Sequence, residues 1–272
     1  KTLGELHYET SSSYHNLGNC FSSATDYDQA IIYYLKDLQI QLQLPNGEKH
    51  ISTAKAYNNL GIAYPNKAKY KSAFTALVTS FKISLSALGK VNRDIANCLT
   101  NIGNVFVRTA QYERALLTYR KVVGIKLKLY GKMHPETAKA YLNIGNCYRL
   151  MKQHPQAIRY HKKALNINKK TIGLYHPDTA HSITNLAECY ALIKDDGKAL
   201  RYYQHSLKIL LINNQPSNVY LSPVQILDNR NNNETLHALR FKADLFLTRY
   251  KNNPHQPINL CAAIAHYLNA TG

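Results

Sequence analysis

The sequence predicts an all-α solenoid of stacked helical hairpins, and two observations carry that expectation. The first is a triplet of Asn, an aliphatic residue and a small residue: Asn16-Leu17-Gly18, Asn59-Leu60-Gly61, Asn101-Ile102-Gly103, Asn143-Ile144-Gly145 and Asn185-Leu186-Ala187. The small residues stand 43, 42, 42 and 42 positions apart, and a constant interval of this size marks a stacked-repeat protein. The second is the set of side chains that travels with each triplet. Three residues after the small residue stands an aromatic: Phe21, Tyr64, Phe106, Tyr148 and Tyr190. Twelve after it stands Ala30, Ala73, Ala115, Ala157 or Ala199, and sixteen after it Tyr34, Leu77, Tyr119, His161 or Tyr203. Steps of three and four put these residues on one face of a helix. The small residue is expected to let two helices close up, with the aromatic three residues on filling the space beside it. A hairpin of this kind cannot bury its face alone and must stack on its neighbours.

Taken in order, residues 1–8 read as a connector between repeats, because Leu3-Gly4 and His7 align with Tyr130-Gly131 and His134. The chain is therefore expected to begin inside an array, with the preceding helix absent. Five hairpins are expected over 9–214, at 9–42, 52–87, 94–129, 135–171 and 177–213. Leu44-Pro45-Asn46-Gly47 breaks the pattern after the first hairpin and carries the extra residue of that interval. Pro65 falls inside a predicted helix, where a proline costs about 3 kcal/mol, so a bend or an early helix end is expected there. Pro135 and Pro177 suit the first helical turn, where the missing amide costs nothing. Residues 215–232 read as a linker, and 233–272 as a degenerate sixth hairpin.

The small-aromatic-alanine pattern resembles the tetratricopeptide repeat, with Leu/Ile-Gly, then Tyr, then Ala at that family's offsets through five copies. The resemblance implies a right-handed superhelix that recognises other proteins and performs no catalysis itself. A period of 42 rather than about 34 is similar to the repeats of kinesin light chains and of bacterial proteins carrying a caspase-like CHAT peptidase domain. The segment holding Leu239, Lys242, Ala243, Leu245 and Tyr250, and ending in Tyr267 and Ala270, resembles the stretch between the repeats and the protease in the CHAT proteins. Kinesin light chains lack it. The resemblance thus implies the sensor or regulatory arm of a caspase-like protease. Its partner would be a peptide or protein held in the concave groove, with RNA-guided CRISPR effectors among the partners that such proteins take. The alternative is a kinesin-light-chain-like cargo or peptide adaptor, for which an acidic or Trp-containing peptide is the expected ligand. A weaker alternative is a basic solenoid that binds nucleic acid.

Composition bounds these readings. The formal charge of +18 directs attention to acidic partners. Lys82, Lys126, Lys128, Lys169, Lys170 and Lys208, however, lie near the ends of second helices, where cations complement the helix macrodipole and stay solvated. No RNA- or DNA-binding signature accompanies the charge, so the solvated reading outweighs a nucleic-acid surface. Of five cysteines, Cys20, Cys147 and Cys189 share one repeat slot, which suits small packing residues better than disulfide partners. A reduced, cytoplasmic chain is expected, and no membrane partner.

Catalytic chemistry is not expected in this stretch. Cys261 and His266 stand five apart on one predicted helix and so point to different faces. His7, His134 and His176 occupy a single slot before the first turn and read as connector residues rather than metal ligands. No phosphate-cradling Gly-rich loop is present, and no cofactor or metal is expected. The binding candidate is the asparagine ladder Asn16, Asn59, Asn101, Asn143 and Asn185. By resemblance to kinesin light chains, these amides would hydrogen-bond the backbone of an extended peptide, for which an amide offers both donor and acceptor. Asn19, Asn104 and Asn146 stand three residues further along the helix, and Lys55, Lys139, Arg108 and Arg149 would supply positive charge. The other reading is that the ladder only ties repeats together, since buried polar groups need partners either way. Both readings remain open at this point.

Overall fold

The structure, a computed structural model, describes residues 6–213. The linker expected at 215–232, the hairpin at 233–272, and Cys261 and His266 lie outside the described residues, as do residues 1–5 of the expected connector. The chain divides into two compact units, Lys1–Lys132 and Met133–Gly272. The first holds three hairpins: α1 (Tyr8–Ser23) with α2 (Tyr27–Gln43), α3 (Ile51–Ala63) with α4 (Tyr70–Leu88), and α5 (Arg93–Arg108) with α6 (Tyr112–Tyr130). The second holds α7 (Pro135–Leu150) with α8 (His154–Thr171), and α9 (Pro177–Leu192) with α10 (Asp196–Asn213). Each helix packs on its hairpin partner, and within each unit α2 meets α3, α4 meets α5 and α8 meets α9. No strand occurs among the described residues.

The first helix of each hairpin starts at a side-chain cap. His7, His50, Asn92, His134 and His176 are the N-cap residues of the five first helices, each accepting from the backbone N–H two residues on. The imidazole Nδ1 does here what a carboxylate or hydroxyl oxygen does at most helix starts. Pro135 and Pro177 begin their helices. At Pro65 the helix does end early: α3 stops at Ala63 and a 3₁₀ turn, Tyr64–Lys67, takes over. The connectors leaving α4 and α6 turn through Gly89 (φ 74°, ψ 178°) and Gly131 (φ 81°, ψ −178°), a region of backbone space that only glycine populates at low cost.

The contact that closes each hairpin differs from the one expected. The side chain facing the small residue is the large one sixteen residues later, on the second helix, and not the aromatic three residues on. A Cβ added to Gly18 would lie 2.5 Å from the Tyr34 ring, at Gly103 2.5 Å from the Tyr119 ring, and at Gly145 2.5 Å from the His161 imidazole; Gly61 meets Leu77 in the same way. The aromatics three residues on pack elsewhere. Phe21 stacks on Tyr33 at 5.2 Å, Tyr148 on Tyr160 at 5.5 Å and Tyr190 on Tyr202 at 5.4 Å. The alanines Ala30, Ala73, Ala115, Ala157 and Ala199 are all fully buried, since any larger side chain there would push the helices apart.

Two other expectations need correction. Lys126 is not a solvated helix-end cation: it is buried, with Nζ 5.3 Å from the Tyr130 ring centre, its stem lying along apolar surface. Cys20 does not pack as Cys147 and Cys189 do. It is exposed on α1, whereas the other two are fully buried.

The glycines allow a paired test. Gly103→Val forces a branched side chain against Tyr119 and is expected to cost about 1–3 kcal/mol. Gly124, inside α6, would meet nothing within 4 Å if given a Cβ, so Gly124→Ala is expected to stabilise by up to about 1 kcal/mol. Urea unfolding of the two variants should therefore shift in opposite directions.

Candidate functional site

In the first unit the ladder asparagines of α1, α3 and α5 lie along one polar face, and hydrogen bonds run across it. The Asn59 amide nitrogen donates to Asn19 Oδ1 at 3.2 Å and lies 3.4 Å from His15 Nε2. Tyr34 Oη donates to the same Asn19 oxygen at 2.9 Å. His15 Nδ1 sits 2.9 Å from Asp37 Oδ2, so a proton placed on Nδ1 donates to the carboxylate and leaves Nε2 to accept from Asn59. Asp37 is 1% exposed; its other oxygen accepts from Ser11 Oγ at 2.5 Å, and Gln41 Nε2 donates to Ser11 Oγ at 2.8 Å. The buried carboxylate is thus fully partnered, as burial demands.

The next repeat solves the same problem differently. Where the first repeat has Asn19, the second has Ile62, which can accept nothing. Asn101 turns instead to Asn58, donating at 3.0 Å. Asn104 accepts from Tyr119 Oη at 2.6 Å, as Asn19 does from Tyr34. Two polar pockets open on this face. One of about 290 Å³ includes His15, Asn19, Lys55, Asn58 and Asn59 in its lining. The other, about 320 Å³, includes His15, Asn16, Asp37 and Lys55. Lys55 is exposed, and it forms no ion pair with a described residue. Arg108, by contrast, donates to Asn66 at 3.3 Å.

The second unit places its candidates less openly. Lys139 lies 3.3 Å from Asp178 and 3.8 Å from Glu136, and Arg149 Nε lies 3.5 Å from Glu188. Both cations are therefore engaged with acids, in each case one on the following first helix. Asn143 is half-buried, while Asn185 is buried. The sequence gives the reason for a further difference: His161 stands where Tyr34 and Tyr119 stand. Among the described residues no ring nitrogen of His161 finds a hydrogen-bond partner, and Asn146 Oδ1 and Asn185 Nδ2 are likewise buried without one. The phenol that satisfies Asn19 and Asn104 has no counterpart at Asn146. Burial, with Arg149 and then His181 nearby, pushes the His161 imidazole down to about 3. His15, Asp37 and Asn58 are the residues that sequence reasoning missed. Only their spacing from the ladder, at one residue before Asn16 and Asn59 for two of them, could have pointed to them.

The buried thiols beside this face are not poised as nucleophiles. Burial pushes the Cys98 thiol up to about 11, and those of Cys147 and Cys189 up to about 12, so each is a protonated, poor nucleophile near neutral pH. Among the described residues there is no group of three His, Cys, Asp or Glu placed to hold a metal ion. No described helix is long and apolar enough to cross a membrane.

This chemistry has two measurable consequences. Iodoacetamide should label Cys20 in the folded protein, and Cys98, Cys147 and Cys189 only after unfolding, as read by peptide mass spectrometry. For His161 the sign is set by its lowered value. Above pH 6.5 the folded and unfolded imidazoles are both neutral and stability is complete. Between pH 6.5 and about 3 the unfolded chain alone binds the proton, so stability falls by about 1.4 kcal/mol per pH unit. His161→Tyr should remove that component, and the new phenol should donate to Asn146 and add about 1 kcal/mol at neutral pH. Thermal melts of both proteins across this range test it.

The fold and the face can now be set beside known proteins. No curated protein matches the chain. Among solved structures, BtubC (BKLC) from P. vanneervenii is 21% identical at a TM-score of 0.65, over 78% of this chain and 84% of that one. A Podosopora anserina protein of kinesin-light-chain type with nearly identical TPR-like repeats is 18% identical at 0.65, over 77% and 99%. A Rap protein complexed with competence and sporulation factor is 16% identical at 0.61, over 95% and 73%. At these identities the likeness is one of fold. A tetratricopeptide-repeat family pattern matches residues 52–128 and 136–211, and a second such pattern matches 13–48. More than half of the sequence is covered by the first pattern alone, and the chain belongs to the tetratricopeptide-repeat family.

Proposed function

We propose that this chain is a non-catalytic scaffold that captures an extended, acidic segment of a protein partner on the polar face formed by its first helices. The observation that carries the reading is the division of labour within Asn59. Its amide nitrogen is spent on Asn19 and His15, yet its carbonyl oxygen has no described partner and lies beside a pocket. Asn101 likewise donates its nitrogen, to Asn58, and its oxygen has no partner among the described residues. Bracing and binding are therefore not rivals: the NH₂ ties repeats together and the oxygen is left to accept from a peptide N–H. Lys55, exposed beside both pockets and in no ion pair with a described residue, supplies the charge that an acidic side chain needs. The fold supports the reading in general terms, since a Rap protein of similar fold is found complexed with competence and sporulation factor.

At finer grain, we read the array as the regulatory arm of a caspase-like CHAT protease working in the cytoplasm, with an RNA-guided CRISPR effector protein as a candidate partner. What supports this is the sequence likeness of 239–270, together with buried free thiols that suit a reducing compartment. The kinesin-light-chain-like adaptor is the second reading, favoured by the likeness of fold to proteins of that type.

A displayed library of random peptides, panned on the wild-type chain and counter-panned on Lys55→Glu with Asn59→Ala, tests the capture. Peptides rich in Asp and Glu are expected, with affinity at least tenfold lower for the double variant. Selected peptides that bind both proteins equally would remove the polar face from the account.

A further inference from the structure

The first unit carries a second groove of opposite character. It measures about 410 Å³ and lies between α4, α5 and α6. Phe81, Leu85, Leu99 and Ile125 form its apolar wall. Val91, at the loop between α4 and α5, is 42% exposed beside it. Lys90, Lys121 and Lys128 stand around the opening, all exposed. None of the three is ion-paired with a described residue. The groove shares no lining residue with either polar pocket.

One residue shows that the opening is particular to this repeat. Gly124 lines the groove from the middle of α6, and a Cβ built on it would meet nothing within 4 Å. An interior glycine weakens a helix, and here no close packing requires it. The equivalent positions of the other repeats hold Gln39, Lys82, Asn166 and Lys208. Each of those side chains would occupy the space that Gly124 leaves open.

The geometry points to a second docking site, at which an acidic segment of a protein partner seats aliphatic or aromatic side chains on the α4–α5–α6 groove. The apolar wall takes those side chains out of water, and the three ammonium groups meet flanking carboxylates at the rim, where complementary charge sets orientation and speeds encounter. A nucleic acid would engage the lysines but has no use for the apolar wall. A membrane surface would be met by protruding apolar side chains, whereas these line a recess. The site is independent of the polar face, so either can fail without the other.

The test uses the whole chain and the same displayed peptide library, panned on wild type and counter-panned on Gly124→Lys, which installs the residue of the second and fifth repeats. The expected result is a set of peptides with Leu, Ile or Phe set among Asp and Glu. They should lose more than tenfold in affinity on Gly124→Lys and on Lys121→Glu with Lys128→Glu, and keep it on Lys55→Glu with Asn59→Ala. Fluorescence anisotropy gives the affinities, and a melting temperature no lower than wild type shows that Gly124→Lys is folded. The charge-reversed pair serves if it is not. The proposal is overturned if no Gly124-dependent peptide emerges, if the selected peptides lack acidic residues, or if the polar-face variant abolishes their binding too. Gly124-dependent binding of phosphatidylserine vesicles or of a single-stranded oligonucleotide in their place would also overturn it.

Discussion

The packing of the first four hairpins depends on one contact: a large side chain of the second helix lies on a glycine of the first. Tyr34 on Gly18, Tyr119 on Gly103 and His161 on Gly145 set how near the paired helices come. That distance decides which residues further along the same face can touch. Because interiors are packed like crystals, a ring placed this way allows few alternatives around it. The buried alanines, twelve residues after each small residue, keep the same closeness from the second helix. Hairpins of such uniform shape can then be stacked, each covering the face that its neighbour cannot cover alone.

The polar face is a consequence of the same ring. A tyrosine lying over glycine carries its hydroxyl to the asparagine one residue beyond, as Tyr34 does to Asn19 and Tyr119 to Asn104. That asparagine is held in place and becomes a fixed acceptor for the ladder residue of the next repeat, as for Asn59. Where the ring is histidine the chain of bonds is broken, and Asn146 and Asn185 are left with buried atoms that have no partner among the described residues. In the first, third and fourth repeats one ring thus bears on both the packing of the hairpin and the polarity of the face beside it.

Much of this was legible in the sequence, and what was not has physical causes. The triplets, the alanines and Pro135 and Pro177 located the helices because they report local requirements: close approach, a missing amide, a fixed period. Pro65 likewise announced the end of α3. The partner of each glycine was not legible, because helical spacing says which residues share a face but not which helix that face meets. The histidine caps were missed because Nδ1 caps a helix only in one ring orientation, though a histidine eleven residues before four of the five small residues was visible. Lys126 read as a solvated terminal cation, but its position in the stack buries it beside Tyr130. Lys139 and Arg149 read as ligand-binding charges, yet they are engaged by Asp178 and Glu188 on the following first helix. Pairing between repeats depends on their stagger, which one repeat's sequence does not encode.

Peptide capture on the polar face is tested most directly by nuclear magnetic resonance of the asparagine side-chain amides, with the chain labelled at asparagine and titrated with a selected acidic peptide. The signals of Asn16, Asn58 and Asn59, which line the polar pockets, are expected to shift as the peptide saturates. Asn168, fully buried in α8 with its nitrogen bonded to Ser182 and to the Asp178 carbonyl, should stay where it is. Saturation that moves none of the pocket asparagines would contradict the claim, and would leave the ladder as a brace between repeats and nothing more.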